Sequence, residues 1–167
     1  MFTTILSLGS NLNDRLANLS NAIEMLSVKT DVLSISPVYE TQPLYILEQP
    51  LFLNLAILAT TELSATTLLD FAKNTENIIG RQPTTRFGPR IVDIDIIDYD
   101  SRCLNNSRLT LPHPRVEERL FVLKPLLDIV PKWTHPKTKQ NLKHMIDQLP
   151  ANQTIKLFGH IPLPTNT

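Results

Sequence analysis

The chain has 167 residues, a length typical of one domain, and 42% of them are hydrophobic, enough to bury a core. Sixteen basic residues balance sixteen acidic ones, which argues against binding to nucleic acid or to an anionic membrane surface. A single cysteine, Cys103, excludes an internal disulfide, and no apolar run approaches the ~18 residues of a membrane span, so we expect one cytoplasmic domain over residues 1–167.

The pattern of apolar residues predicts four strands in the first hundred residues, at 2–8, 32–39, 52–61 and 91–99. Pro37 interrupts the second of these strands, and the third is apolar enough to be central in a sheet. The fourth is the clearest strand in the chain.

Helical periodicity predicts two helices between these strands, ending near Leu26 and Ile79. Asn13 or Asp14 can cap the first helix, and Ser64 can cap the second. The glycine that follows Ile79 stands where a helix-ending glycine belongs.

The last third of the chain predicts a helix over 116–129, broken or started by Pro125, and a final helix over about 142–149. A short strand and a tail that frays from about residue 158 follow. The order of strand, helix, strand, strand, helix, strand and then helices is that of the ferredoxin-like split βαβ arrangement. We therefore predict an α+β fold, an antiparallel sheet with helices packed on one face.

Two aspartates lie one pleat repeat apart in the predicted strand 91–99. Strand side chains alternate, so Asp93 and Asp95 share one face while Val92, Ile94 and Ile96 point to the other. Two carboxylates so placed repel each other, and a divalent cation such as Mg²⁺ removes that cost. By itself such a pair more often lies on a solvated face of an edge strand. Whether it binds a metal must therefore be judged from the residues around it.

A basic loop comes directly before this strand and contains Arg81, Arg86 and Arg90. Guanidinium groups match phosphate oxygens as carboxylates match Mg²⁺, so the two sets together indicate a nucleoside-triphosphate site. Each arginine alone is better explained as a surface charge in a mobile loop, and only the combination with the carboxylates indicates a site. The sequence contains no Gly-x-x-x-x-Gly-Lys-Ser/Thr segment, which excludes a P-loop.

The stretch from Arg86 to Ile96, Arg-Phe-Gly-Pro-Arg-Ile-Val-Asp-Ile-Asp-Ile, closely resembles the central motif of the 6-hydroxymethyl-7,8-dihydropterin pyrophosphokinase family of folate biosynthesis. Other segments resemble further motifs of that family in the same order, at 8–12, 39–44, 49–54, 109–114 and 119–126. Together they extend over most of residues 5–130, so agreement by chance is not a reasonable explanation.

The resemblance implies an enzyme that transfers the β,γ-pyrophosphoryl group of ATP to the hydroxymethyl group of the dihydropterin and releases AMP. It implies that Asp93 and Asp95 hold two Mg²⁺ ions and that Arg81 and Arg90 neutralise charge on the phosphates. It also implies small-molecule substrates as the partners of a monomeric protein.

The same resemblance implies nucleotide contacts at Glu76, Ile96, Arg108, Thr110, His113 and Arg119. It implies pterin contacts at Thr41, Gln42, Leu44, Phe52, Asn54, Phe87 and Phe121. Phe52 and Phe121 would stack on the pterin, and Asn54 can both donate and accept at its edge. Without the resemblance, core packing would explain the phenylalanines, and a solvated helix face would explain Glu76.

The chain departs from the family pattern in its loops. The segment 81–86 is shorter and less basic, and Phe87 stands where some members have tryptophan. Tyr45 occupies a position where glycine is common, and Phe52 replaces a frequent tyrosine. We expect these differences to affect loop closure rather than the chemistry.

Two other functions stay open as alternatives. One is a different Mg²⁺-dependent phosphoryl-transfer enzyme, such as a nuclease or a kinase that transfers one phosphate, and the balanced charge argues against a nuclease. The other is a ferredoxin-like binding module without turnover, which would be expected to have lost the carboxylates or the arginines.

Overall fold

The computed structural model describes residues 1–165, which form a six-stranded antiparallel sheet, a small hairpin and four α-helices. The strands are β1 (Phe2–Ser10), β2 (Asp31–Ile35), β3 (Val38–Thr41), β4 (Phe52–Thr61), β5 (Asp93–Tyr99), β6 (Leu104–Asn105), β7 (Thr110–Leu111) and β8 (Ile155–Gly159). The helices are α1 (Arg15–Leu26), α2 (Ala65–Ile79), α3 (Leu120–Ile129) and α4 (Leu142–Asp147), and a 3₁₀ turn covers Val116–Glu118.

Neighbouring strands of the main sheet run antiparallel in the order β5-β1-β4-β3-β8, and β2 also pairs with β4. β1 pairs with β4 over its full length, with Phe2 opposite Thr61 and Ser10 opposite Leu53. Pro37 lies between β2 and β3, as the sequence predicted. The predicted α+β fold with a ferredoxin-like antiparallel sheet is confirmed, and β8 is added at the β3 edge.

The first two helices begin and end where local chemistry predicts. The Asp14 carboxylate accepts the Ala17 N–H at 3.0 Å and caps α1. The Ser64 hydroxyl accepts the Thr67 N–H at 3.3 Å and caps α2. Gly80 follows α2 with φ of +112°, a left-handed conformation that residues with a Cβ rarely adopt.

Helices cover both faces of the sheet. α1 and α2 bury one face, which includes Leu8 and Leu55, whereas α3 and α4 pack on the other, against Ile5, Ala56 and Ile97. The expectation of helices on one face only is therefore wrong. Apolar periodicity shows which side of a helix is buried, but it does not show which sheet face that side will meet.

The C-terminal elements differ in detail from the prediction. α3 continues through Pro125, which is buried within it, so the predicted break or start at that residue is wrong. α4 ends at Asp147 rather than near 149, β8 is the predicted short strand, and residues 166–167 lie outside the described part.

In residues 1–165 no helix combines the length and the apolar character needed to cross a membrane.

Candidate active site

Asp93 and Asp95 lie on the face of β5 that points away from α1 and α2. Ile94 and Ile96 are 0% and 3% exposed in the core beneath those helices, whereas the two aspartate side chains are 22% and 27% exposed. The predicted alternation is confirmed, and both carboxylates line one pocket.

The Asp93 carboxylate is paired with two arginines of the preceding loop. Arg81 Nη1 lies 3.0 Å from Oδ1, and Arg90 Nη1 lies 2.9 Å from Oδ2. Burial alone would raise the pKa of Asp93, but the positive charges of Arg90, Lys73 and Arg81 outweigh it and hold the pKa below its ordinary value. Asp93 is therefore ionised and neutralised by its neighbours.

The Asp95 carboxylate has weaker support. Among the described residues its ion-pair contacts are Arg119 Nη1 at 3.7 Å and His113 Nε2 at 3.8 Å, both longer than a hydrogen bond. Burial, and after it the negative charge of Asp93, raises the pKa of Asp95 to about 7. The charges of Lys73 and Arg119 offset only part of this electrostatic cost, and a cation beside Asp95 would relieve the rest.

His113 faces Asp95 from the segment after β7. Its Nδ1 accepts the Arg115 N–H at 3.1 Å, so the neutral ring carries its proton on Nε2, the atom directed at Asp95. Burial, and after it the charge of Arg119, lowers the pKa of His113 to about 4. The ring is neutral at pH 7 and offers an N–H donor to an anionic oxygen.

Glu76 is buried behind Asp93 and is 1% exposed. Its carboxylate accepts the Ile94 N–H at 2.7 Å and the Lys73 ammonium at 2.8 Å, and it also pairs with Arg81. The solvated helix face considered for Glu76 is wrong, because this residue lies on the side of α2 that packs on the sheet. Its position does not support the predicted ATP contact, and it instead holds Arg81 against Asp93.

The pocket beside the aspartates brings together the predicted pterin residues. They are Thr41, Gln42, Leu44, Phe52, Asn54, Phe87 and Phe121. The Asn54 amide is held in place, because its Nδ2 donates to Thr41 Oγ1 at 2.7 Å and its Oδ1 lies over Gly9, 2.9 Å from where a Cβ would stand. A fixed amide among aromatic rings suits a flat heterocycle with a hydrogen-bonding edge.

A second cleft on the other side of Asp95 is lined by four of the predicted nucleotide residues, Ile96, Arg108, Thr110 and His113. Arg119 lines the first pocket instead. Ile96 is only 3% exposed, and the Arg108 guanidinium pairs with Asp70 on α2. Asp95 lines both clefts and therefore lies at their boundary.

Two polar residues to which the sequence assigned no role connect the loops around the pocket. Asn11 Nδ2 donates to Gln49 Oε1 at 2.9 Å, and Asn11 Oδ1 accepts the Arg90 N–H at 2.8 Å. Gln49 Nε2 donates to the Phe87 carbonyl at 2.9 Å. Polar side chains are ordinary in turns, so only their place in the family-like segments could have pointed to them.

The donor set fits Mg²⁺. Within the described residues no group of three or more His, Cys, Asp or Glu side chains is placed to hold a metal ion. Mg²⁺ takes one or two protein carboxylates and completes its shell with water and phosphate oxygens. The Asp93–Asp95 pair supplies such a set.

A sequence model of the family described as 7,8-dihydro-6-hydroxymethylpterin-pyrophosphokinase (HPPK) matches residues 5–131, which contain both clefts. The chain belongs to this family. It is 38% identical over 158 residues to the 2-amino-4-hydroxy-6-hydroxymethyldihydropteridine pyrophosphokinase of Aquifex aeolicus, a match that covers 95% of this chain and 96% of that HPPK.

Several other relatives are much longer proteins. The folic acid synthesis protein fol1 of Schizosaccharomyces pombe is 40% identical over 92% of this chain, which corresponds to 21% of that protein. The chain spans about a fifth to a quarter of the length of several curated relatives it matches. The solved structure of Plasmodium falciparum HPPK-DHPS with pteroate has a TM-score of 0.70 over 87% of this chain and 42% of that one, at 15% identity, a likeness of fold alone.

Proposed function

We propose that the chain transfers the β,γ-pyrophosphoryl group of ATP to the hydroxymethyl group of 6-hydroxymethyl-7,8-dihydropterin and releases AMP, in folate biosynthesis. The observation that carries this proposal is that the two clefts meet at Asp95, one suited to a pterin and the other to a nucleotide. A hydroxymethyl group in the first cleft would face phosphates that extend from the second. Membership of the HPPK family supports the same assignment.

The pterin would lie in the pocket beside β4. Phe52 and Phe121 are half-buried and present ring surface to the pocket, while Asn54 offers a donor and an acceptor whose direction Thr41 fixes. Two aromatic side chains and an amide that line one pocket suit a flat heterocycle better than a flexible substrate.

The reaction depends on positioning and charge neutralisation rather than on a strong base. The hydroxymethyl oxygen forms a bond to the β-phosphorus, the bond from that phosphorus to the oxygen bridging it to the α-phosphorus breaks, and the hydroxyl proton passes to water. Arg81 and Arg90 already pair with one anion, Asp93, and would exchange it for phosphate oxygens. His113 and Arg119 would hold the triphosphate beside Asp95.

Asp93 and Asp95 would hold Mg²⁺, two ions by the family resemblance, and the metal would neutralise phosphate charge and polarise the β-phosphorus. The number of ions, the monomeric state, the cytoplasmic location and the extent of the domain over 1–167 stay predictions.

The product nucleotide tests the proposal. The protein is mixed with ATP, Mg²⁺ and the hydroxymethyl-dihydropterin, and the products are followed by phosphorus NMR. AMP and a pyrophosphorylated pterin in equal amounts support the proposal. ADP would indicate a kinase that transfers one phosphate, and pterin binding without any turnover would indicate a binding module.

A further inference from the structure

Two aromatic rings from different loops meet at the rim of the pocket. Tyr45, between β3 and β4, and Phe87, between α2 and β5, stack with ring centroids 4.1 Å apart and planes 27° from parallel. Both line the pocket, and Tyr45 is 38% exposed. Stacked carbons need about 3.5 Å between planes, so no ligand ring fits between these two. The pair acts as a cover of the pocket rather than as a slot.

Phe87 is fixed in place by its backbone conformation and by contacts to its carbonyl and its ring. Its backbone has φ of +63°, a conformation that residues with a Cβ rarely adopt. Its carbonyl accepts Gln49 Nε2 at 2.9 Å, and the guanidinium groups of Arg86 and Arg115 each lie 4.9 Å from its ring centroid. These contacts fix the surface on which Tyr45 stacks.

The Tyr45 hydroxyl reaches toward the aspartates. It donates to Glu118 Oε1 at 2.9 Å and accepts from Arg119 Nε at 3.4 Å. Arg119 Nη1 in turn lies 3.7 Å from Asp95. Tyr45 thus contacts both Phe87, at the rim of the pterin pocket, and Arg119, beside the Asp95 carboxylate.

From these contacts we infer that Tyr45 is a positioning residue with two separable parts. Its ring, stacked on Phe87, retains a bound pterin, and its hydroxyl orients Arg119 toward the phosphates. The inference rests on the proposed function of the pocket. Entry of the pterin requires the two rings to part, and their closure behind it slows its departure.

The ring is tested by the rate at which a pterin leaves. Fluorescent 6-hydroxymethylpterin, the oxidised form of the substrate, is displaced in stopped flow without ATP from the wild type, Tyr45→Phe, Tyr45→Leu and the control Leu47→Ala. Leu47 lies in the same loop, is 70% exposed and is not among the residues lining the pocket. We expect about tenfold faster dissociation from Tyr45→Leu and changes below about twofold in the other two variants.

Equal dissociation rates in the wild type and Tyr45→Leu would overturn the role of the ring. If the wild type and all variants fail to bind the probe, the proposed function of the pocket fails and the inference fails with it. Equal dissociation rates thus contradict only the role of Tyr45, whereas failure to bind the probe contradicts the proposed function of the pocket.

The hydroxyl is tested by steady-state kinetics of Tyr45→Phe. Loss of one hydrogen bond to Arg119 should raise the KM for ATP about fivefold while the KM for the pterin stays within about twofold. A purely structural role would change both constants together. An unchanged KM for ATP in Tyr45→Phe would overturn the role of the hydroxyl.

Discussion

Asp93 and Asp95 share one face of β5 and line one pocket, yet the pKa of Asp93 is lowered while that of Asp95 is raised to about 7. Burial acts on both carboxyl groups, but Arg81 and Arg90 lie within 3.0 Å of Asp93. Within residues 1–165 the nearest ion-pair partner of Asp95 is Arg119, at 3.7 Å. One carboxylate is neutralised by arginines that the proposal assigns to the phosphates. The other is only partly compensated, by the charges of Lys73 and Arg119, and would be stabilised by a bound cation.

Asp95→Asn should separate catalysis from stability. The substitution keeps the shape and removes a charge that burial destabilises, so the thermal midpoint should stay constant or rise. Turnover should fall about 10³-fold, because the amide is a poor Mg²⁺ ligand. Asp31→Asn, an exposed change at the start of β2, is the control. Turnover of Asp95→Asn near that of the control would show that the pair is an ordinary strand face.

Glu76→Ala should destabilise the protein, because Lys73, Arg81 and the Ile94 N–H lose their shared buried acceptor. Breaking a buried ion pair costs about 3 kcal/mol, and urea denaturation should show a loss of that order in the free energy of unfolding. Glu24→Ala, exposed on α1, should change it by less than about 0.5 kcal/mol. Equal stability of the two variants would refute a structural role for Glu76.

Gly9→Ala should weaken pterin binding without affecting the nucleotide. A Cβ at Gly9 would stand 2.9 Å from Asn54 Oδ1 and displace the amide that reads the pterin edge. We expect the KM for the pterin to rise about tenfold, the effect of losing one oriented hydrogen-bonding group. Gly159→Ala is the matched control, since a Cβ there meets nothing within 4 Å. Equal pterin KM values in both variants would contradict the assigned role of Asn54.

His113 should make the stability of the protein depend on pH. Burial lowers its pKa from 6.5 to about 4, so between these values the unfolded chain binds a proton that the folded protein excludes. The stabilisation is complete above pH 6.5 and is lost as the pH falls toward 4, by about 2 kcal/mol at pH 5. Urea denaturation of the wild type and His113→Asn at pH 7 and pH 5 isolates this contribution. Parallel losses in the two proteins would contradict it.

The strands and helix ends around the site depend on residues that lie close together in the chain, and the sequence predicted these features. Strand alternation placed Asp93 and Asp95 on one face, and capping chemistry located Ser64 and the glycine after α2. Each inference needs only neighbours two to four residues away.

The parts that sequence reasoning missed depend on which elements meet in space. Glu76 has the sequence surroundings of an exposed helix residue, and its burial follows only from the packing of α2 against β5. Asn11 and Gln49 connect segments about forty residues apart, a contact that no local pattern encodes. The side of the sheet covered by α3 is likewise a matter of chain path rather than of periodicity.

The most direct test of the proposed reaction follows both transferable phosphorus atoms together. ATP labelled at the β-phosphorus and ATP labelled at the γ-phosphorus are each turned over with the hydroxymethyl-dihydropterin, and the label in the pterin product is counted. We predict that both labels enter the pterin in a one-to-one ratio and that unlabelled AMP is released in equal amount. A pterin product that carries the γ label alone, with ADP as the second product, would contradict pyrophosphoryl transfer.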